Sequence, residues 1–479
     1  MSIKKTGIII GCLLMMAMIL TPAWAQDVTK LSYPQLNKLE IPKVEKITLK
    51  NGIRLYILED GSLPILEASV RVNCGSYLEP ADKVGLAEIC GEVMRTGGTS
   101  KWSGDKIDEM LEGVGASVET SIGMSSGNAS VNALSEHTDL VLEILSEILR
   151  RPAFNEDKIE LAKVGRRSDI SRRNDDPSDI GSREFRKIIY GPESVFARHT
   201  EYATINTITR DDLVDFHKKY YHPENVQIAL WGDFKRKDIV DKIKNYFGDW
   251  QRGDMKVPPP PKVDYKFESK VHYIFKGDVN QSNIYLGHIG GLIADDDYAD
   301  RIVMNNVLGG GFGSRLFNTV RSKEGLAYTA IGFYTSNFNY PGVFYNYAAT
   351  KSKSTCKAII EIIKQIKGIQ TDPPTVDEMH FGKDGYLNSF VFNFDTKAKV
   401  VNRMMNYDFY GMPEDFLQKE KEKVEGVTPE AVVKAAQRNL HPENLHVLVV
   451  GRQEDFDMPL SELGLGPVET IDITIPAEK

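Results

Sequence analysis

Residues 308–328 read LGGGFGSRLFNTVRSKEGLAY, and this stretch decides the fold. It opens with four glycines: Gly309, Gly310, Gly311 and Gly313. Glycine carries no side chain, so the backbone here can bend sharply or approach another group closely. The spacing is not that of a phosphate-binding loop or a dinucleotide fingerprint. An amphipathic run follows and places Arg321 seven residues before Tyr328. The residue pattern alone therefore predicts a helix entry packed against a sheet.

Length, composition and charge describe an ordinary globular protein. The chain has 479 residues, of which 41% are hydrophobic and 26% are charged, and such a length suggests about two to four domains. The net charge is −8. The sequence contains no stripe of lysine and arginine residues, so we expect no nucleic-acid partner.

The amino end has the pattern of a secretory signal peptide. Lys4 and Lys5 precede an apolar stretch over residues 7–20, and small residues lead up to Ala25. This order predicts a signal peptide over residues 1–25, cleaved after Ala25. The apolar stretch is too short to span a membrane. We therefore expect a bacterial periplasmic or secreted protein with no membrane attachment after signal removal. A lipoprotein site at Cys12 is the weaker alternative.

The cysteines give no disulfide framework. Cleavage after Ala25 leaves Cys74, Cys90 and Cys356, which is an odd number. A Cys74–Cys90 disulfide in an oxidising compartment and buried free thiols both remain open.

A repeat divides the chain into two halves. Three pairs of matching positions lie 219 residues apart: Ile208 and Val427, His222 and His441, Gly232 and Gly451. Each copy reads as an N-capped helix, a His-Pro-Glu-Asn turn and a buried strand. A repeat of this length indicates duplicated domains rather than a solenoid.

Four consecutive prolines, at positions 258–261, separate the two copies. Such a run favours an extended spacer. We therefore predict an amino-terminal domain over residues 26–255, a linker over 256–264 and a carboxy-terminal domain over 265–479.

The halves combine strands with helix pairs. Alternation predicts strands over residues 53–58 and 68–72, and helical spacing appears over 139–149 and 156–170. This mixture predicts an α+β fold in which each half is a mixed sheet with helices packed on one face.

The string GGGFGSRLF, then VR, then EGLAY resembles the second-half signature of the M16 peptidases, the family of pitrilysin, insulysin and the mitochondrial processing peptidases. The resemblance covers essentially all of the chain after the signal. It implies two homologous halves in a clamshell arrangement around a peptide. It also implies that Arg321 and Tyr328 reach the scissile carbonyl, and that the glycine loop flanks the substrate chamber. The chemistry fits, because an arginine fork holds carbonyls and carboxylates and a tyrosine hydroxyl stabilises an oxyanion.

The zinc motif of active family members is missing. Those enzymes carry His-x-x-Glu-His in the first half, with two histidine ligands, a glutamate that activates water and a distant acidic ligand. Here Glu88 and Glu92 occupy the histidine positions, Gly91 occupies the glutamate position, and the distant ligand falls on Asp169. No side chain at Gly91 can deprotonate a water. We therefore expect no metal and no cofactor in this chain.

Three carboxylates at these positions leave other interpretations open. Such a set suits calcium or magnesium, which would make the chain a stand-alone peptidase with an atypical metal site. The carboxylates could instead form a solvated acidic patch or pair with Arg166 and Arg167.

The family resemblance also implies a peptide-binding edge strand. The matching stretch, residues 116–120, includes Ser117 and Val118. In the family this strand takes up an extended peptide by backbone pairing. We name these two residues, with the glycine loop, as substrate-binding candidates.

Taken together, the residues predict a non-catalytic subunit. In M16 proteins that are split between two chains, one subunit carries the zinc motif and the other supplies the Arg/Tyr pair. This chain has the features of the second kind, so we expect a zinc-bearing partner with His-x-x-Glu-His and a peptide substrate. The alternative is a peptide-binding or scaffold protein without hydrolysis.

Overall fold

The computed structural model describes residues 40–253 and 255–477. From Ile41 onward the described residues belong to one compact unit. The signal peptide predicted over residues 1–25, with its cleavage site and Cys12, lies outside the described residues. Within them, no helix is both long enough and apolar enough to cross a bilayer.

The first half is built on a six-stranded mixed sheet. Its strands are β1 (Glu45–Thr48), β2 (Arg54–Glu59), β3 (Ile65–Val72), β4 (Ser117–Ile122), β5 (Gly127–Leu134) and β6 (Val226–Gly232). Their order is β1-β2-β6-β3-β5-β4, with β4 at one edge. Strand β2 runs parallel to β6, and the other neighbours are antiparallel. Burial alternates along β3, as the period of two predicts.

The helices of the first half pack on one face of this sheet, except for one that packs on the second sheet. They are α1 (Leu86–Thr96), α2 (Gly104–Glu112), α3 (Thr138–Arg150), α4 (Glu156–Arg172), α5 (Pro177–Tyr190), α6 (Tyr202–Thr207), α7 (Arg210–Tyr220) and α8 (Arg236–Phe247). Ile89 of α1 and Ile144 of α3 join Leu66 of β3 in the main apolar core. Burying these side chains stabilises the half by roughly 1.5–3 kcal/mol for each large residue.

The second half repeats the plan. Its strands are β7 (Lys270–Phe275), β8 (Gln281–Ile289), β9 (Gly291–Leu292), β10 (Ala327–Tyr334), β11 (Ser336–Asn337), β12 (Val343–Lys351), β13 (His446–Gly451) and β14 (Val468–Thr470). Six of them form a mixed sheet in the order β10-β12-β8-β13-β7-β14, while β9 and β11 form a small parallel pair.

The second set of helices comprises α9 (Tyr298–Leu308), α10 (Thr355–Gly368), α11 (Val376–Ser389), α12 (Lys397–Tyr410), α13 (Phe416–Gly426) and α14 (Pro429–Asn439). A π-helix spans Phe317–Lys323. The α+β class with two homologous halves is thus confirmed.

The two copies of the sequence repeat fold alike. In each, a threonine caps a helix: the Thr209 hydroxyl accepts from the Asp212 backbone N–H, and the Thr428 hydroxyl accepts from that of Ala431. Each helix leads into a fully buried strand, β6 or β13. Both strands lie inside their sheets, which explains why their sequences are mostly apolar.

One helix of each half packs on the sheet of the other half. Helix α5 of the first half packs on the second sheet, where Phe185 and Ile189 contact Tyr285 and Leu448. The approach is close, because a methyl group at Gly181 would overlap the Tyr285 ring. Helix α12 of the second half packs on the first sheet, and its buried residues there include Val401 and Met405. Each exchanged helix covers part of the second face of the other half's sheet, and the exchange joins the two halves.

The proline-rich segment is extended. No helix or strand occurs over the described residues 255–269. Val257 packs against the core of the first half, and Val263 packs against the cluster around α5. The Tyr77 hydroxyl donates to the Pro258 carbonyl oxygen across 2.8 Å. The segment therefore runs along the protein surface in contact with both halves.

All three cysteines of the described part are buried free thiols: Cys74, Cys90 and Cys356. Of the two alternatives for Cys74 and Cys90, the structure contains free thiols. Burial raises the pKa of Cys74 to about 12, so this thiol is protonated and unreactive at neutral pH.

Buried histidines predict acid sensitivity. Burial lowers the pKa of His217 to about 4 and that of His288 to about 3, against roughly 6.5 in an unfolded chain. Below pH 6.5 the unfolded state therefore binds more protons, and stability falls toward pH 4. Each histidine contributes a loss of up to about 1.4 kcal/mol per pH unit. Glu79 has the opposite effect on stability. Burial raises its pKa to about 7, so its protonation between pH 7 and its ordinary pKa stabilises the folded state as the pH falls.

Urea denaturation at pH 7, 6 and 5 measures this effect. We expect the free energy of unfolding to decrease over that range, since two histidines outweigh one carboxyl group. The double variant His217→Gln/His288→Gln should show a shallower slope. A wild-type stability that stays constant or rises toward pH 5 would disagree with the burial of these two imidazoles.

Candidate functional site

The positions that match the zinc motif lie on helix α1. The helix starts at Gly85, whose φ of 105° is in the left-handed region that favours glycine. The Glu79 carboxylate accepts hydrogen bonds from the backbone N–H groups of Gly85 and Ala87 at 3.2 and 2.9 Å, which fixes this end. Glu88 and Glu92 then lie one turn apart on the same face. The sequence-predicted site is thus carried on a rigid, capped helix.

Arg166 of α4 lies among the three carboxylates. Its Nε atom is 3.5 Å from Glu88 Oε2, its Nη2 is 3.0 Å from Glu92 Oε2, and its Nη1 is 3.7 Å from Asp169 Oδ2. One guanidinium group thus approaches all three carboxylates that the family resemblance matches to zinc-ligand positions. Each such ion pair is worth little by itself at a partly exposed site, but together they offset the repulsion between the carboxylates.

The second arginine named from the sequence has other contacts. Arg167 Nη2 donates to the Asn206 side-chain oxygen at 2.8 Å, and Nη1 is 3.9 Å from Glu160 Oε2. Across residues 40–253 and 255–477, no three His, Cys, Asp or Glu side chains form a group that could hold a metal ion. A zinc or calcium ion does not fit residues that already surround a cation.

Gly91 is in direct contact with strand β4. A methyl group built at this position would overlap the Ile122 backbone nitrogen and lie 2.7 Å from the Ser121 carbonyl carbon. The Thr120 hydroxyl donates to the Gly91 carbonyl oxygen at 2.6 Å, which holds helix and strand together. The space that a catalytic glutamate side chain would need is therefore filled by backbone.

Strand β4 lies at the sheet edge, as expected for a peptide-binding strand, but its own chain contacts it. Arg95 Nε donates to the Val118 carbonyl oxygen at 2.9 Å. The Val118 side chain is fully buried, whereas Ser117 is exposed. Arg95 also bonds Asp108 at 2.6 Å. A peptide that paired with Val118 would first have to displace Arg95. Peptide binding at Ser117 and Val118 stays a prediction.

Arg321 and Tyr328 are brought together at the surface of the second half. The Arg321 guanidinium carbon lies 5.1 Å from the Tyr328 ring centroid and 4.7 Å from that of Phe317. Stacking between two rings orients the planar guanidinium while its N–H groups stay available. Tyr328 is 75% exposed. A ligand or another chain can therefore reach Tyr328, and the half-buried Arg321 lies directly beside it.

The π-helix explains how Arg321 is positioned. Leu316 and Val320 are fully buried against the second core, and the helix packs beside β10, which carries Tyr328. The predicted helix entry against a sheet is thus present, with a wider helical turn than expected. Such turns are often found at functional sites.

The glycine loop is packed tightly against its surroundings. A methyl group at Gly313 would overlap the Phe381 ring of α11, and one at Gly309 would overlap the Gly332 backbone nitrogen. Arg315 donates to both oxygens of Glu378 at 2.7 and 3.0 Å and fixes the loop to α11. These contacts account for two of the four glycines. A direct role of Gly309, Gly310, Gly311 and Gly313 in substrate binding stays a prediction.

Two family models match the chain. The description "Insulinase (Peptidase family M16)" matches residues 57–194, and "Peptidase M16 inactive domain" matches residues 207–386. Together they cover most of both halves described above. The chain belongs to peptidase family M16.

Among curated relatives, an "uncharacterized zinc protease YmxG" of Bacillus subtilis is 24% identical over 75% of this chain and 87% of its own length. A "non-peptidase homolog YmxG" of Helicobacter pylori is 25% identical over 81% and 86%. The family thus includes relatives named as proteases and relatives named as non-peptidases, and the two kinds have similar sequence identity to this chain.

Solved structures share the fold. A peptidase M16 inactive domain from Pseudomonas fluorescens superposes with a TM-score of 0.75 at 23% identity, covering 86% of this chain and 98% of the other. A protease from Helicobacter pylori gives 0.73 at 18% identity, with 86% and 100% covered. At these sequence identities the similarity shows a shared fold alone.

Proposed function

We propose that this protein is the non-catalytic subunit of an M16-type zinc peptidase heterodimer. It would enclose a peptide substrate together with a zinc-bearing partner. It would also supply Arg321 and Tyr328 to the active site of that partner. The observation that carries the proposal is the position of Arg166 among Glu88, Glu92 and Asp169, where active relatives hold their metal.

The first half lacks what hydrolysis needs. Zinc prefers histidine, cysteine or carboxylate ligands that are free to bind it, but here all three carboxylates contact a guanidinium. No general base can be placed at Gly91 without moving β4. We therefore assign the activation of water to the partner, whose zinc would lower the pKa of the attacking water.

The second half carries groups suited to stabilising a transition state. Arg321 and the Tyr328 hydroxyl are both donors, and the half-buried Arg321 lies beside the exposed Tyr328. Each would donate a hydrogen bond to the oxygen of the scissile carbonyl as negative charge develops there. Such preorganised donors commonly contribute about 10²–10³ in rate. Because this charge is absent from the substrate itself, the pair would act on kcat more than on binding.

The chamber would lie between two chains. Within this chain α5 and α12 pack side chains against the two sheets, and a cavity of about 320 Å³ remains beside α12. A substrate therefore has more room between this chain and a second one, where Arg321 and Tyr328 could reach it. We propose that β4, including Ser117 and Val118, and the loop containing Gly309 to Gly313 border that chamber.

We further propose that the mature protein acts in the bacterial periplasm or outside the cell. The support is the sequence of residues 1–25, with its two lysines, apolar stretch and small residues before Ala25.

A peptide-binding or scaffold function without hydrolysis is the second candidate, and the adjacent Arg321 and Tyr328 would serve it equally well. A stand-alone peptidase with a carboxylate metal site is less compatible with Arg166.

Reconstitution separates these functions. The purified chain is mixed with a zinc-bearing M16 subunit from the same organism, and cleavage of a mixture of fluorogenic peptides is followed. The heterodimer predicts no cleavage by this chain alone and cleavage by the mixture that exceeds the activity of the partner alone. A mixture that binds peptide with no gain in hydrolysis supports the scaffold function instead.

A further inference from the structure

A polar cavity lies between the first sheet and the exchanged helix α12. Its volume is about 320 Å³, and its lining includes Ser69 and Arg71 of β3, Glu119 and Ser121 of β4, Asn128 of β5 and Asn402 of α12. These residues face away from the main core, on the sheet side that α12 only partly covers. The cavity is large enough for one amino-acid side chain or a chain terminus.

Although the cavity lining includes Glu119, Arg71 forms no ion pair among the described residues. Its Nε and Nη1 atoms are shielded from solvent and lack a hydrogen-bond partner among the residues that the structure describes. Its guanidinium carbon lies 5.0 Å from the Phe409 ring centroid and 6.0 Å from that of Tyr410. Burial lowers the pKa of Arg71, but an arginine with an ordinary pKa above 12 remains charged at neutral pH.

Neighbouring groups are committed elsewhere. Gln227, opposite Arg71 across the β3–β6 pairing, donates to the Tyr56 hydroxyl at 2.8 Å and is neutral. Glu119 is the one carboxylate in the lining, and its Oε1 lies 3.7 Å from Arg95 Nη2. Asn128 Nδ2 donates to the Ser126 carbonyl oxygen at 3.1 Å. Arg71 is half-buried, and two of its three guanidinium nitrogen atoms are shielded from solvent without a partner. An anionic ligand would therefore be favoured here.

We propose that this cavity binds a carboxylate group of an extended peptide, with Arg71 as the principal contact. The inference rests on the proposed function for the identity of the ligand as a peptide. The guanidinium fork matches a carboxylate in two parallel hydrogen bonds. The Ser69 and Ser121 hydroxyl groups are positioned to add further donors. Because β4 contributes Glu119 and Ser121, a peptide that follows this edge strand would pass the cavity opening.

The carboxylate could belong to the peptide C-terminus or to an acidic side chain. Three fluorescein-labelled decapeptides of one neutral sequence distinguish these sources: one with an amidated C-terminus, one with a free C-terminus, and one amidated with a single internal glutamate. Binding to the purified chain is measured by fluorescence anisotropy. We expect at least one carboxylate-bearing peptide to bind about tenfold or more tightly than the neutral peptide.

The variant Arg71→Met should abolish this preference and leave binding of the neutral peptide unchanged. Arg54→Met is the matched control, because Arg54 lies on β2 of the same sheet and is absent from the lining. The preference for a carboxylate-bearing peptide should persist in Arg54→Met. Arg71→Lys keeps the charge but loses the fork, so an intermediate preference is expected, and this variant serves if Arg71→Met does not fold.

The outcomes separate this inference from the proposed function. Equal binding of all three peptides, or a preference that survives in both Arg71 variants, would overturn the carboxylate site and leave the peptide-enclosing role intact. Failure of every peptide to bind the purified chain would overturn the carboxylate site, whereas the proposed heterodimer fails only if the reconstituted mixture gives no gain in cleavage. Preference for the free C-terminus alone would assign the cavity to a chain end.

Discussion

Replacing Arg321 with alanine is expected to lower the peptide turnover of the reconstituted complex by about 100-fold or more, as for the loss of a transition-state donor. Tyr328→Phe should have a comparable effect, since it removes only the hydroxyl and keeps the ring that stacks on Arg321. Steady-state kinetics should place most of the loss in kcat. A double variant should lose less turnover than the product of the two single losses predicts, because both groups would contact the same oxygen of the scissile carbonyl.

Lys323→Ala provides the control. Lys323 lies on the same π-helix as Arg321 and its side chain is 76% exposed. Removing its charge should leave turnover within about twofold of the wild type, as expected of a surface residue without a substrate contact. Thermal unfolding should be nearly unchanged for Arg321→Ala as well. Full activity of the Arg321 and Tyr328 variants would show that the assigned roles are wrong.

The second large effect concerns Gly91. Gly91→Ala is expected to lower the free energy of unfolding by roughly 1–3 kcal/mol, because the added methyl group overlaps the backbone of β4. Gly91→Glu, which restores the general base of active relatives, should cost more and should not give a working site. Urea denaturation monitored by circular dichroism measures both changes.

Gly165→Ala is the matched comparison. Gly165 lies within helix α4, and nothing lies within 4 Å of a methyl group built there. The same substitution should therefore stabilise the protein by about 0.5–1 kcal/mol, the usual gain of alanine over glycine within a helix. Similar effects at the two positions would mean that Gly91 is not constrained by β4.

The sequence predicts the local structure well, because local structure follows from local pattern. Alternation identified β2 and β3, and the His-Pro-Glu-Asn turns located the paired helices and buried strands of the repeat. Family membership was indicated by the residues around Arg321 and Tyr328 and is confirmed. The exact boundaries over 26–255, 256–264 and 265–479 stay a prediction, although the described segment after residue 254 is indeed extended.

Features that depend on distant contacts could not be predicted. The exchange of α5 and α12 joins residues more than a hundred positions apart, and neither helix differs in pattern from those that stay with their own sheet. The sequence left calcium, an acidic patch and arginine pairing open at Glu88, Glu92 and Asp169. Only the side-chain positions of Arg166 distinguish these alternatives. The contact of Arg95 with Val118 has no local sequence signal at all.

The most direct measurement is metal content and peptide turnover of the purified full-length chain, before and after incubation with zinc and again with a zinc-bearing partner present. We predict no stoichiometric zinc and no turnover for the chain alone, and chelator-sensitive turnover once the partner is added. One zinc ion per isolated chain, accompanied by peptide cleavage, would contradict the account. In that account Arg166 contacts the three carboxylates that would bind the metal, and Gly91 has no side chain to act as the general base.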